Sequence, residues 1–336
     1  MTTTKIALLG LLATSTLILS ACASSDTTTD SAGATSTPTG IAESADSQVS
    51  GSVSVVATTT MLGDVTNEIV LCAGGTVEVL LPNGVDPHDF SASSDQVASM
   101  ISADLVVVNG LGLESGLTDS LANATSDGAN VFEVAPLLDP IEFGAGSHSE
   151  EGHTEDEDHG ALDPHFWFDM NRMATAAELI GAELTTATGD EAYTTCAQTT
   201  ATQIRAAEGE VRALLESVPA DQRILVTDHE ALGYLADVYG YEVAGTVIPA
   251  GTTLAEPSSA DLAALVATIQ AEGITAIFSN TSSPTALAEA VAAESGTDIR
   301  VIPLYVESLG EPGSPAATYI DMMRANAQLI AEGLQG

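Results

Sequence analysis

Two blocks of strand-like apolar runs, each interleaved with helix-like segments, follow one another along the chain. The runs of the first block cover residues 53–59, 77–81, 104–109 and 131–134, and those of the second cover 224–227, 243–248, 276–279 and 301–306. Strands that alternate with helices are typical of parallel sheets covered by helices. The pattern therefore predicts an α/β protein of two lobes, each a roughly four-stranded, mainly parallel sheet flanked by helices.

A segment without strand signals separates the two blocks. It is rich in Ala, Glu, Gln and Arg, and Ile204, Val211 and Leu215 recur in it at helical spacings. Such a segment favours one long helix. We therefore expect an N-terminal lobe over residues 52–189, a rigid linking helix over 190–217 and a C-terminal lobe over 218–336.

The N-terminus has the features of an export signal. Lys5 precedes a short apolar run that ends in Leu-Ser-Ala before Cys22, and the residues that follow are rich in Ser, Thr, Ala and Asp. The run is short for a membrane span, so a cleaved signal over residues 1–21 is favoured over permanent insertion. Leu-Ser-Ala-Cys resembles the bacterial lipobox, which implies a lipid on Cys22; an ordinary cut near Ala23 is the alternative. Residues 22–51 would then be a disordered tether.

These features place the protein outside the cytoplasm. We expect it to be anchored by its lipid to the outer face of the cytoplasmic membrane, or to lie in a periplasm. Cys72 and Cys196 are the other two cysteines. In an oxidising compartment such a pair persists as a disulfide, and two separate buried thiols are the alternative.

Acidic residues dominate the charge of the chain. There are 47 of them against 7 basic residues, and the formal net charge is −40. This charge repels phosphate backbones, which excludes nucleic acid as a partner.

One segment, residues 147–160, interrupts the α/β pattern. It reads SHSEEGHTEDEDHG and holds His148, His153 and His159 among acidic residues with no apolar side chain to bury. The composition predicts a surface loop. An accessory role in collecting metal ions and a plain charged loop both fit this segment.

The other three histidines stand at comparable points of the two blocks. His88 and His165 each end an Asp-Pro-His tripeptide, and His229 lies in Asp228-His229-Glu230, directly after the apolar run 224–227 and at the predicted start of a helix. Proline restricts its own backbone and that of the residue before it, so each tripeptide presents its histidine from a loop with few alternatives. Glu307 follows the run 301–306 in the same way as His229. Ligands of open α/β sheets bind beyond the carboxyl ends of strands, which makes these four residues candidates for one site.

Three imidazoles and one carboxylate suit a four-coordinate Zn²⁺. A closed set of this kind binds the ion without reacting, whereas a zinc hydrolase keeps one position for water and would use a carboxylate such as Glu230 as base. The chain has no His-Glu-x-x-His pair, Gly-x-Ser-x-Gly elbow or phosphate-binding glycine loop that supports catalysis. The interpretation is therefore a binding protein and not an enzyme.

Five motifs occur in an order that resembles the cluster A-I substrate-binding proteins of zinc and manganese ABC importers. They are GVDPHDFSASSDQVASMISADLVVVNGLGLE, the acidic loop with DPHFWFDM, VTDHEALGYLADVYG, AEPSSADL with SNTSSPTALAEAVAAESG, and LYVESLGEPGSPAATYIDMMRAN. The resemblance covers nearly all of the chain after the tether. It implies two α/β lobes joined by a rigid long helix, an importer permease in the membrane as partner, and a metal ion held between the lobes by two ligands from each.

Carried over by position, the resemblance makes His88 and His165 the ligands of the first lobe and His229 and Glu307 those of the second. Zinc members commonly have His at the third place and manganese members Glu, so His229 favours Zn²⁺ over Mn²⁺. The fourth place is usually Asp, and Glu307 is one methylene longer. We expect a monomeric zinc receptor; a manganese or iron receptor, a secreted zinc hydrolase and a surface adhesion protein are the alternatives.

Overall fold

A computed structural model describes residues 52–144, 162–296 and 298–336. The strands within these ranges are β1 (Val53–Ala57), β2 (Gly75–Val79), β3 (Leu105–Val108), β4 (Val131–Glu133), β5 (Ile224–Thr227), β6 (Glu242–Thr246), β7 (Ala276–Asn280) and β8 (Arg300–Leu304). The helices are α1 (Thr60–Ala73), α2 (Ser94–Ser102), α3 (Thr118–Ser126), α4 (Met170–Thr188), α5 (Ala192–Glu216), α6 (Gly233–Tyr239), α7 (Ser259–Glu272), α8 (Ala286–Glu294) and α9 (Tyr319–Gln335).

The eight strands form two sheets of four. Their orders are β2-β1-β3-β4 and β6-β5-β7-β8, and every pairing within each sheet is parallel. The central strands β3 and β7 are buried along their whole length, as expected for sheets covered by helices on both faces. The predicted architecture of two parallel four-stranded sheets is therefore confirmed.

Strand β2 begins and ends two residues earlier than the apolar run 77–81 predicts. Gly75 pairs with Val53 and Thr76 with Ser54, which extends the strand backwards into polar sequence. The strand lies at the sheet edge, where residues are not selected by burial on both faces. Leu80 and Leu81, the end of the predicted run, are buried but lie beyond the strand.

Helix α5 matches the predicted linking helix and runs along both sheets. It packs against α1 and α4 on the side of the first sheet and against α6 and α9 on the side of the second. Together with buried residues of both sheets, the buried face of α5 belongs to one continuous apolar core. The two halves therefore share this core, and each half also has a smaller apolar cluster of its own.

A pair of hydrogen bonds joins the two halves through Trp167. Its indole nitrogen donates to the carbonyl oxygen of Val306 at 2.9 Å, and the hydroxyl of Tyr319 donates to the carbonyl oxygen of Trp167 at 2.7 Å. All three side chains are buried. These contacts place the loop after β8 against the segment that carries His165.

Within the described ranges, none of the helices combines the length and apolar character that a membrane crossing requires. The segments assigned to the export signal and to the tether, with Cys22, lie outside the described residues.

Candidate metal centre

His88 enters the site from the loop after β2. The backbone N–H of His88 donates to Oδ1 of Asp86 at 2.8 Å, and its carbonyl oxygen accepts a 2.7 Å bond from the hydroxyl of Ser115. With Pro87 between Asp86 and His88, these bonds hold a tight turn that presents the imidazole inwards. The His88 side chain is buried.

His165 is presented by the same kind of turn. Oδ1 of Asp163 accepts from the backbone N–H of His165 at 2.8 Å and also lies 2.8 Å from Nδ1 of the same residue. A carboxylate at Nδ1 favours the tautomer that carries its hydrogen there, which leaves the lone pair of Nε2 free for a metal ion. Asn109 fixes the turn by donating to the carbonyl oxygen of Pro164 at 3.0 Å.

His229 lies two residues beyond β5, but it does not begin a helix as the sequence predicts. Residues 228–230 form a bend instead: the N–H of Glu230 donates to the carbonyl oxygen of Ala250, the N–H of Ala231 donates to that of His229, and α6 starts only at Gly233. Nδ1 of His229 lies 3.2 Å from Oδ1 of Asp228. The arrangement again leaves Nε2 facing inwards.

Glu307 completes the group from the second sheet. It lies three residues beyond β8 and is 1 % exposed. Its Oε2 accepts a 2.6 Å hydrogen bond from Nδ2 of Asn280. Its Oε1 lies 2.7 Å from Nε2 of His88, 3.2 Å from Nε2 of His229 and 4.0 Å from Nε2 of His165.

The structure thus brings the four residues proposed from sequence together. One ligand atom from each lies within 4.8 Å of the others. The three Nε2 atoms and Oε1 of Glu307 are buried, and none has a partner with hydrogen-bond geometry. Buried polar atoms without partners are costly. Four of them around one point indicate a place for a cation.

The electrostatics of the group also favour a cation. Burial by itself raises the pKa of Glu307, but the charges and close contacts of His229 and His88 together outweigh burial and hold this pKa well below its usual range. Burial lowers the pKa of His229, yet the carboxylates of Glu307 and Asp228 raise it well above its usual value. The carboxylate of Glu307 thus favours a positive charge on its neighbour, and a proton on His229 is one way to supply it. A divalent cation would displace that proton.

Burial lowers the pKa of His165, and the neighbouring Asp163 offsets part of this effect. The neutral imidazole is the form that binds a metal ion. His165 is thus held in the form required of a ligand.

Other residues singled out from sequence lie elsewhere. Cys72 of α1 and Cys196 of α5 form a disulfide with a Cα–Cα distance of 5.9 Å. His148, His153 and His159 of the acidic loop lie outside the described residues, as does Cys22.

Sequence reasoning assigned no role to the groups that orient the four side chains. Asp163 lies two residues before His165, and Asp228 lies one residue before His229. This proximity in the sequence could have indicated that the two carboxylates orient the imidazoles. Asn280 is 27 residues from Glu307, and only the pairing of β7 with β8 brings the two together. The sequence carries no local signal for that contact.

Residues 55–333 match the family described as "ZnuA: Zinc-uptake complex component A periplasmic". The manganese-binding lipoprotein MntA of Halalkalibacterium halodurans is 28% identical over 284 residues, which cover 83% of this chain and 88% of that protein. The zinc-binding protein TroA of Treponema pallidum is 28% identical over 301 residues, 87% of this chain and 92% of TroA.

Solved structures agree with this assignment. The periplasmic zinc binding protein TroA from Treponema pallidum superposes with a TM-score of 0.73 at 27% identity, covering 84% of this chain and 99% of that one. The Mn-bound periplasmic metal binding protein from Candidatus Liberibacter asiaticus gives a TM-score of 0.70 at 25% identity with the same coverage. The chain therefore belongs to the ZnuA family, the cluster A-I metal-binding receptors of ABC importers.

Proposed function

We propose that this receptor captures Zn²⁺ outside the cytoplasm and delivers it to the permease of an ABC importer. The observation that carries the proposal is the convergence of three imidazole Nε2 atoms and one carboxylate oxygen, all buried and all without hydrogen-bond partners. In this role His88, His165, His229 and Glu307 are the ligands of the transported ion. The family consists of substrate-binding receptors and not of enzymes, which excludes the hydrolase alternative.

The donor set supports zinc as the cargo. Nitrogen-rich four-coordinate sites suit Zn²⁺, whereas Mn²⁺ prefers six oxygen-rich positions and binds N/O sites more weakly in the divalent series. Manganese is the second candidate, because relatives such as MntA are named as manganese-binding.

The remaining parts of the proposal concern location and assembly. We place the protein at the outer face of the membrane, held by a lipid on Cys22 and the tether that follows it. A monomer is sufficient for this role, since all four ligands come from one chain. The acidic loop with His148, His153 and His159 would collect ions weakly before they reach the buried site.

Metal analysis of the purified protein tests the proposal. We expect one equivalent of tightly bound Zn²⁺ and a large excess of Zn²⁺ over Mn²⁺ when both compete. Alanine at His88, His165, His229 or Glu307 should weaken zinc binding by at least about 100-fold. A triple alanine variant of His148, His153 and His159 removes as many imidazoles and should keep the tight site. Failure of the wild-type protein to bind either ion stoichiometrically would refute the receptor, and preference for Mn²⁺ would select the second candidate.

A further inference from the structure

Asn280 is the last residue of β7, and its side chain reaches the carboxylate of Glu307. Strand β7 pairs in parallel with β8, with Asn280 opposite Leu304, so the chain beyond β8 passes beside the end of β7. Asn280 is 1 % exposed. Its contact with Glu307 is therefore made inside the protein, away from competing water.

The orientation of the Asn280 amide follows from its partners. Its Oδ1 accepts a 2.9 Å hydrogen bond from the backbone N–H of Ser282. The Nδ2 group must then point the other way, where it donates to Oε2 of Glu307 at 2.6 Å and lies 3.4 Å from the hydroxyl of Ser283. A backbone N–H can only donate, so the opposite orientation of the amide would set two donors against each other.

The two oxygens of Glu307 are consequently in different situations. Oε2 is engaged by the Asn280 amide, while Oε1 has no hydrogen-bond partner and faces the three Nε2 atoms. A carboxylate can bind a metal ion through one oxygen or through both. Here the amide holds one of the two oxygens.

We propose that Asn280 determines metal specificity: it retains Oε2 of Glu307, so that the carboxylate binds the ion through Oε1 alone and the site offers four donors. Four donors match the tetrahedral preference of Zn²⁺. A second carboxylate oxygen would add a fifth donor and move the site towards the higher coordination and oxygen content that Mn²⁺ prefers. The inference rests on the proposed function, because it concerns the same site and its cargo.

Cobalt substitution tests the proposal directly, because four-coordinate Co²⁺ absorbs visible light much more strongly than five- or six-coordinate Co²⁺. The test variant is Asn280→Ala, which frees Oε2. The control is Asn326→Ala. Asn326 is another buried amide; it donates to the carbonyl oxygen of Tyr305 and accepts from its N–H, and it does not hydrogen-bond Glu307.

We expect the wild-type protein and Asn326→Ala to give the strong absorption and to prefer Zn²⁺. In Asn280→Ala the absorption should fall, and the ratio of Mn²⁺ to Zn²⁺ affinity should rise about tenfold. An unchanged spectrum and ratio in Asn280→Ala would overturn the inference, as would equal changes in both variants.

Two further results keep the inference and the proposed function apart. If Asn280→Ala does not fold, the carboxylate stretching bands of the zinc-loaded wild-type protein decide: one-oxygen binding of Glu307 supports the inference, and two-oxygen binding overturns it. If the wild-type protein binds no ion, the proposed function has failed and the inference falls with it. Normal zinc binding with two-oxygen coordination refutes the inference alone.

Discussion

The hydroxyl of Thr253 donates a 2.5 Å hydrogen bond to Oδ2 of Asp86, although the two residues are 167 positions apart. Oδ1 of the same Asp86 accepts from the backbone N–H of His88. The loop between β6 and α7 in the second half is thereby tied to the turn that presents a candidate ligand from the first. The bond joins the two halves beside the site.

Removing this bond should speed the release of the ion. Thr253→Val keeps the shape of the side chain and deletes the donor, and a hydrogen bond to a charged group contributes about 1.5–3 kcal/mol. We expect the zinc dissociation rate, measured by stopped-flow transfer to a chelator, to rise by about tenfold or more. Thr252→Val is the matched control, because the Thr252 hydroxyl only accepts from the nearby N–H of Leu254. Equal rates in the two variants would show that the Thr253 bond does not restrain release.

Asp64 should make the stability of the protein depend on pH. Its Oδ2 accepts from the N–H of Tyr319 at 2.9 Å, which joins α1 to the start of α9. Burial raises the pKa of Asp64 to about 6, and the neighbouring carboxylates of Glu68 and Asp321 add to this. Between about pH 4 and pH 6 the native protein then binds a proton that the unfolded chain has lost. The free energy of unfolding therefore falls as the pH rises through this range, by about 2–3 kcal/mol.

The variant Asp64→Asn separates this effect from others. An amide keeps an oxygen acceptor for Tyr319 but stays neutral, so the variant should be more stable than the wild-type protein at pH 8 and nearly equal to it at pH 4. Urea unfolding at a series of pH values measures the difference. Asp261→Asn is the opposite case, because hydrogen bonds from Ser258 lower the pKa of the Asp261 carboxyl. Replacing this carboxylate by an amide should make the protein less stable at pH 8. A loss of stability at pH 8 in Asp64→Asn would contradict the assignment.

Zinc should stabilise the protein without being needed for its fold. The continuous apolar core is complete without an ion, so chelator-treated protein should keep its circular dichroism spectrum. Zinc at about 100 times its Kd should add about 2.7 kcal/mol to the free energy of unfolding. Thermal melts with and without zinc check this, and His229→Ala should show no such increase. Unfolding by the chelator alone would favour the structural metal of an adhesion protein.

The disulfide should contribute to stability and not to metal binding. Cys72 and Cys196 are 124 positions apart, so their bond removes a large closed loop from the freedom of the unfolded chain. A double serine variant should lose about 2–5 kcal/mol in guanidinium unfolding. Its zinc affinity should stay within about twofold, because neither cysteine contacts the four ligands. A large loss of affinity would show that the bond also shapes the site.

The sequence predicts the sheets and the convergence of the four candidate ligands because both depend on local patterns. Buried strands such as β3 and β5 are short apolar runs, and Asp-Pro-His fixes its turn through its own aspartate, as Asp163 shows. The conformations of loops and the contacts between distant residues are not predicted by such local patterns. The bend at residues 228–230 is held by a hydrogen bond from Glu230 to Ala250, and the Asn280 contact depends on the register of β7 with β8. Both bring together residues that are distant in the chain.

The 25 residues of α5 make a rod of about 37 Å. If one half rotated away from the other, α5 would have to bend or lose its packing against α1 or α9. Either change would expose apolar side chains of the shared core. We therefore expect the two halves to keep their relative position, so that the loaded and empty forms differ mainly in the loops that carry the four candidate ligands. A permease that accepts only loaded receptors would then have to recognise the conformation of those loops.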